Sequence, residues 1–400
     1  MKNLLNSLSL HSVPMPDKQP GKRLILSGLL SCLLLLLSAC GGSNGVKVSP
    51  DKLEKIEATR SASVVWSGKA GEASTRDAVV LSPYVTEELL FTVGRNGKVT
   101  AFNIGDGSVV WDTELERDIT AGISGDEENL YIATANGDVF AISQDHGGTI
   151  WTSPVSSEVI AAPVAGTDFV VVRSIDGKVY SLDKNTGQRR WIYSYNVPAL
   201  SIHGNGRPLV AVDGVLAGLD NGRLVALRAT DGQVFWETAL GENTGRSEVE
   251  KLNDLDADLQ IYDPYIYAVN YQGKVAQIDP AQGRPIWSAD VSSVAGLAVD
   301  DAHVIVTDEF DTVHAFRRSD GETLWTHEDL SHRRLTAPVI VDGLIVVGDF
   351  EGYLHLLSAE DGSTIGRLRS GVGPIASKPV VRDDMLYVQS RSGRVAAVKL

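Results

Sequence analysis

Six of the chain's seven tryptophans stand in step with a glycine repeat. Trp111, Trp151, Trp191, Trp236, Trp287 and Trp325 each lie fourteen residues after a turn position, namely Gly97, Gly137, Gly177, Gly222, Gly273 and Asp311. A second glycine falls ten residues after each turn: Gly107, Gly147, Gly187, Gly232, Gly283 and Gly321. The spacing continues at Gly352 and Gly362, although Gly366 takes the tryptophan position there, and Gly393 opens a unit that the C-terminus cuts short. Successive turns are separated by 38 to 51 residues. Such a period, with four short β-like runs per unit, is the mark of a propeller.

The local chemistry agrees. Asn221-Gly222 and Asp231-Gly232 bracket an alternating apolar run that ends at Trp236. Dipeptides of this kind favour hairpins, because primed turns need positive φ at their centre. The truncated last unit requires a strand from elsewhere. Ser63-Val64-Val65-Trp66 repeats Ser108-Val109-Val110-Trp111 letter for letter, so the N-terminal segment is expected to be the outer strand of the last blade. The fold class expected is all-β: an eight-bladed propeller of four-stranded antiparallel blades, spanning residues 61–400 and closed around Trp66. Closure leaves only short, protected strand edges. All seven tryptophans are assigned to packing between blades, where such an aromatic buries roughly 150–250 Å². Gly366 predicts looser packing at the junction after blade 7.

The N-terminus carries targeting information. Lys22-Arg23 precede an uncharged run from Leu24 to Ala39, which suits a signal peptide better than a membrane span. Met15 offers an alternative start. The run ends Leu37-Ser38-Ala39-Cys40-Gly41, which resembles the bacterial lipobox. That resemblance implies cleavage of residues 1–39, acylation of Cys40, and stable anchoring by several acyl chains. Gly41 rather than aspartate after the cysteine implies sorting to the outer membrane. Residues 40–60 read as a lipidated cysteine and flexible tether. Cys32 is lost with the signal and Cys40 is acylated, so the propeller has no disulfide and no thiolate metal site. The chain carries −15, and loss of the signal leaves −18. Nucleic acid and anionic lipid surfaces are therefore disfavoured as direct partners.

No catalytic constellation emerges. The eight histidines are scattered, and there is no HExxH, Walker loop or GxSxG elbow. Asp254-Leu255-Asp256-Ala257-Asp258 resembles the start of a calcium loop, but Leu259 replaces the required glycine and Tyr265 the closing glutamate. A solvated acidic loop is expected there, with no metal and no cofactor. The two longest turn separations, 177 to 222 and 222 to 273, hold this cluster and Pro198–Gly204. Insertions in repeat arrays usually map to loops on one face, often the binding face. Leu200 and Ile202 either form an apolar anchor there or belong to an inner strand.

The unit seen as Ser181-Leu182-Asp183, Thr186-Gly187 and Trp191 resembles the docking motif of quinoprotein-type eight-bladed propellers. An enzymatic member, a pyrroloquinoline-quinone dehydrogenase, is the alternative reading, but the mature chain lacks the vicinal cysteine pair many of them carry. The lipobox, short tether and bare ring instead resemble the BamB family. Val197–His203, Glu248–Asp256, Leu335–Val339 and Gly348–His355 carry that resemblance. It implies a non-enzymatic lipoprotein scaffold of the outer-membrane β-barrel assembly complex, on the periplasmic face of the outer membrane. It implies binding to the POTRA domains of BamA alongside other subunits of the complex. Direct contact with nascent outer-membrane proteins stays open. The family's partner surface maps here to Leu200, Ile202, His203, Asp254 and Asp256. His203 stands where the family has arginine, exchanging a permanent cation for a group mostly neutral at pH 7.

Overall fold

Each repeat unit folds into one small sheet because turn residues separate four short strands, of which the second and third are continuous apolar runs buried on both faces and the outermost alternates. The first full blade is typical: Tyr84–Val85, Leu89–Val93, Lys98–Asn103 and Val109–Glu114 pair in sequence order as an antiparallel meander. A computed structural model describes residues 49–72, 79–241, 247, 249 and 252–400. Within them lie eight four-stranded sheets, and every regular element is a strand. The chain forms the eight-bladed propeller that the repeat predicts. First strands of neighbouring blades touch around the axis. The tryptophan strands lie outermost.

The last blade is composite, as expected. Its inner strands are Val380–Arg382, Met385–Gln389 and Arg394–Lys399, and Ser63–Lys69 pairs antiparallel with the last of these. The ring is thus closed by hydrogen bonds between the two ends of the propeller sequence.

Each indole reaches out of its own blade into the next. The Nε1–H groups of Trp66, Trp111, Trp151, Trp191, Trp236, Trp287 and Trp325 donate to the carbonyls of Ile104, Gln144, Lys184, Ala229, Pro280, Arg318 and Ala359 at 2.7–3.0 Å. The ring face lies on the second glycine of the next blade. At Gly232, whose φ is +72°, an added Cβ would sit 2.7 Å from Trp191 Cε3. Only glycine serves there, because it tolerates the left-handed backbone and leaves room for the ring. The residue paired with the tryptophan within its blade is mostly small: Ala101, Ala141, Ser181, Ala226, Ala315 and, for Trp66, Ala397.

Blade 7 inverts this arrangement. Leu356 pairs with Gly366, so the large side chain moves to the neighbouring strand. The N-terminal segment fills the remaining space. Thr59 and Arg60 donate their N–H groups to the Ile365 carbonyl, and Asp51 donates to that of Ser331. Arg333 Nη1 and Arg367 Nη1 donate to the carbonyls of Asp51 and Glu54. A continuous buried cluster, including Val346, Leu356, Ile375 and Val388, spans blades 7 and 8, with Ala62 and Leu400 packed against it. The looser junction expected from Gly366 is filled by other means. The propeller's compact unit begins at Pro50, so the stretch read as tether to residue 60 is packed over its second half.

Replacing Trp191 with alanine should cost about 3–5 kcal/mol in urea denaturation followed by circular dichroism, the range for large-to-small core changes. Gly366→Ala would place a Cβ 2.6 Å from the Arg60 carbonyl. It should therefore expose residues 50–60 to limited proteolysis while leaving the tryptophan junctions protected.

Candidate docking site

The connections from blade 3 to blade 4 and from blade 4 to blade 5 are the two long intervals of the repeat, and they fold against each other. Leu200 and Ile202 lie outside any strand and are 46% and 38% exposed. They are loop residues displayed to solvent, which removes the inner-strand reading. Among the described residues, other exposed apolar side chains such as Val109, Val110 and Phe235 sit on outer strands, where they recur from blade to blade.

Asp254 and Asp256 are buried, at 1% and 3% exposure. The solvated acidic rim expected from sequence is therefore corrected. The sequence Asp254-Leu255-Asp256-Ala257 packs inward through Leu255 and Ala257, and its carboxylates point into the neighbouring connection. Asp254 Oδ2 accepts hydrogen bonds from Ser201 Oγ at 2.8 Å and from the Ile202 backbone N–H. Asp256 Oδ2 accepts from the Gly204 N–H at 2.7 Å. The two aspartates thus grip the backbone that presents Leu200 and Ile202. His203 lies between these anchor points with φ of +52° and is partly buried, with Nδ1 3.3 Å from Ser201 Oγ. An added Cβ at Gly206 would meet the Asp256 carbonyl at 2.6 Å, so the two segments pack backbone to backbone.

Beneath them lies a cation that sequence reading missed. Arg173, 5% exposed, donates to the carbonyls of Gly204 and Gly218 at 2.8 Å and to Asp256 Oδ1 at 3.2 Å. Asp220 Oδ1 is 3.5 Å from its Nη1, and Asp220 Oδ2 accepts from Tyr195 Oη at 2.9 Å. The signal was present: Arg173 pairs with Val179 at a position where the second strands of blades 1, 2 and 5 carry Val93, Ala133 and Val269. A charged residue in an apolar strand needs buried partners.

Two carboxylates, Asp220 and Asp256, share this one guanidinium, and Asp254 lies close enough to feel both of them. Burial pushes the Asp220 carboxyl up, Arg173 opposes that, and Asp256 adds to it. Burial and the neighbouring Asp256 push Asp254 up to about 6, against the hydrogen bonds from Ser201 and Ile202. Asp254 Oδ1 is buried with no hydrogen-bond partner. Among the described residues no cluster of ligating side chains could hold a metal ion. Glu248, Glu250 and Lys251 of the second connection, and Cys40, lie outside the described residues.

The family model described as outer membrane protein assembly factor BamB matches residues 95–327 and 311–399. A protein of that name from Alkalilimnicola ehrlichii is 46% identical over 367 residues, covering 92% of this chain and 95% of the relative. Another from Escherichia coli (strain K12) is 32% identical over 391 residues, covering 94% and 99%. The crystal structure of BamB from Moraxella catarrhalis superposes with a TM-score of 0.79 at 29% identity, over 85% of this chain and all of that one. A quinohemoprotein alcohol dehydrogenase from Comamonas testosteroni shares the fold, with a TM-score of 0.69 at 12% identity over 84% of this chain and 76% of that one.

The raised Asp254 carboxyl has a pH signature. The folded state holds this proton more tightly than the unfolded chain, whose ordinary value is 3.8. Its contribution is therefore complete below about pH 4 and is lost as pH rises through about 6, on the order of 3 kcal/mol. Asp254→Asn should flatten urea-denaturation stability across this window. Asp256→Ala leaves the Gly204 N–H without its acceptor and Arg173 with Asp220 alone, and should cost about 3–5 kcal/mol.

Proposed function

The chain belongs to the BamB family of outer membrane protein assembly factors, and on that premise we propose that it is a non-catalytic adaptor of the outer-membrane β-barrel assembly complex. It docks on the POTRA domains of BamA through the connection that carries Leu200 and Ile202. It is held at the periplasmic face of the outer membrane by acyl chains on Cys40. Through that contact, alongside the other subunits, it assists folding and insertion of outer-membrane proteins.

One observation carries the docking reading. Two adjacent apolar side chains are held outward on a loop whose backbone is gripped from below by buried carboxylates and a buried arginine. Leaving them in water is unfavourable, and covering both on association would return about 25 cal/mol per Å² of apolar area. Preorganisation of the loop reduces the ordering cost of binding. In this reading Leu200 and Ile202 touch the partner. Asp254 and Asp256 act as positioning residues rather than as acceptors for partner groups. His203, beside them, supplies a polar contact in place of the arginine expected from the family.

The double variant Leu200→Glu/Ile202→Glu alters only exposed side chains and should retain the wild-type melting temperature. It should lose co-purification with BamA from detergent-solubilised membranes; retained co-purification would overturn the site. Cys40→Ala should shift the protein from the membrane fraction to the soluble periplasmic fraction, and unchanged fractionation would overturn the anchor.

A further inference from the structure

The repeat places one residue of every blade at the same level on the propeller axis. The reference is the inner-strand residue paired with its neighbour seven positions on, as in Val164↔Val171, Leu209↔Leu216, Ala298↔Ile305 and Val380↔Tyr387. Two residues before it, five blades carry small side chains or none: Ser82, Gly122, Ala162, Gly296 and Ala337. The other three carry Arg207, Asp258 and Lys378. All eight positions line one cavity of about 130 Å³. That is well above the roughly 10–15 Å³ that a single water needs.

The three charges do not balance. Asp258 is fully engaged by Arg207. Its Oδ1 accepts from the Arg207 backbone N–H at 2.8 Å, and its Oδ2 from Nε at 3.0 Å and Nη2 at 2.7 Å. Arg207 accordingly holds the Asp258 carboxyl below its usual range in spite of burial. Lys378 enters from blade 8, opposite Arg207 on blade 4, and its Nζ donates to the Leu297 carbonyl at 3.0 Å. An ammonium has three donors and this contact uses one. Among the described residues no carboxylate is in ion-pair contact with Lys378. Burial pushes its ammonium down to about 8, Asp258 offsetting part of the effect and Arg207 adding to it. A cavity with two cations, one of them the half-exposed Arg207, one committed carboxylate and otherwise uncharged ring positions is short of one negative charge.

We propose that the propeller axis holds a binding site for a small oxyanion, a carboxylate or phosphate, seated between the Lys378 ammonium and the Arg207 guanidinium. The free donors of Lys378 and the outer edge of the guanidinium supply charge-assisted hydrogen bonds. The small residues of the other blades leave the volume the anion occupies. Arg207 and Asp258 belong to the same two connections as the docking loop, whereas Lys378 lies on a different blade from Leu200 and Ile202, so Lys378 is the position that tests the site without touching that loop.

Lys378→Ala places on blade 8 the residue that blades 3 and 7 already carry, Ala162 and Ala337, so the ring tolerates it. Titration calorimetry with inorganic phosphate and with acetate, at constant ionic strength set by sodium chloride, reads the site directly. The wild type should show saturable one-to-one binding of at least one of the two anions. Lys378→Ala should weaken it at least about tenfold, the scale expected for one charge-assisted contact, and Lys378→Arg should retain it. Binding of phosphate alone assigns the site to phosphate; binding of acetate assigns it to carboxylates. Absence of saturable binding of either anion to the wild type, or equal binding by Lys378→Ala, overturns the proposal.

Discussion

The indole of an outer-strand tryptophan belongs to one blade by sequence and to the next by contact. Its N–H bonds a carbonyl of the following blade, and its face covers a glycine there that has no Cβ and a left-handed backbone. A single blade exposes both faces of a four-stranded sheet and has no core of its own. Packing of these faces, fastened at the periphery by the indole, makes eight small sheets into one body. The polar N–H is satisfied at the same point, so burial of the large ring leaves no orphan donor. Seven junctions are built this way, including the one where Trp66 from the chain's beginning meets Gly107 of the first full blade.

Because that frame is local and repeated, departures from it are tolerated where something else supplies the lost contact. At the junction of blades 7 and 8, loss of the tryptophan is matched by a larger partner, Leu356, and by the segment from Pro50 to Ala62 laid along the outer strand. At the connections around blade 4, extra residues are ordered by a buried polar network centred on Arg173. On the axis, three charged residues replace small ones without disturbing the strands that follow them. Each departure changes side-chain content while strand register is kept.

The polar network around Arg173 shows why the candidate site needs rigidity from below. A loop with two exposed apolar side chains would ordinarily fold them inward. Here Asp254 and Asp256 engage the backbone of Ile202 and Gly204, leaving those side chains directed to solvent. The cost is a cluster of carboxylates around one guanidinium, visible in the upward displacement of the Asp254 and Asp220 carboxyls. Functional sites are where proteins hold such unfavourable arrangements.

Blade number, strand order and the closing role of Trp66 were legible in the residues themselves, because a repeat writes the same contact several times at a fixed spacing. The two connections that carry the candidate site were legible for the same reason, as places where the spacing stretches. The parts played by their residues were not. Asp254 and Asp256 read as solvated from a polar local sequence, yet Gly204 and Gly206, some fifty positions earlier, bring a second backbone over them and exclude water. Arg173, from a third segment, supplies the counter-charge. Burial and charge pairing are sums over segments distant in the chain, so spacing reveals where a departure lies. Only the assembled ring decides which side chains face solvent, which are clamped beneath, and that Arg207 and Lys378 meet across one axis.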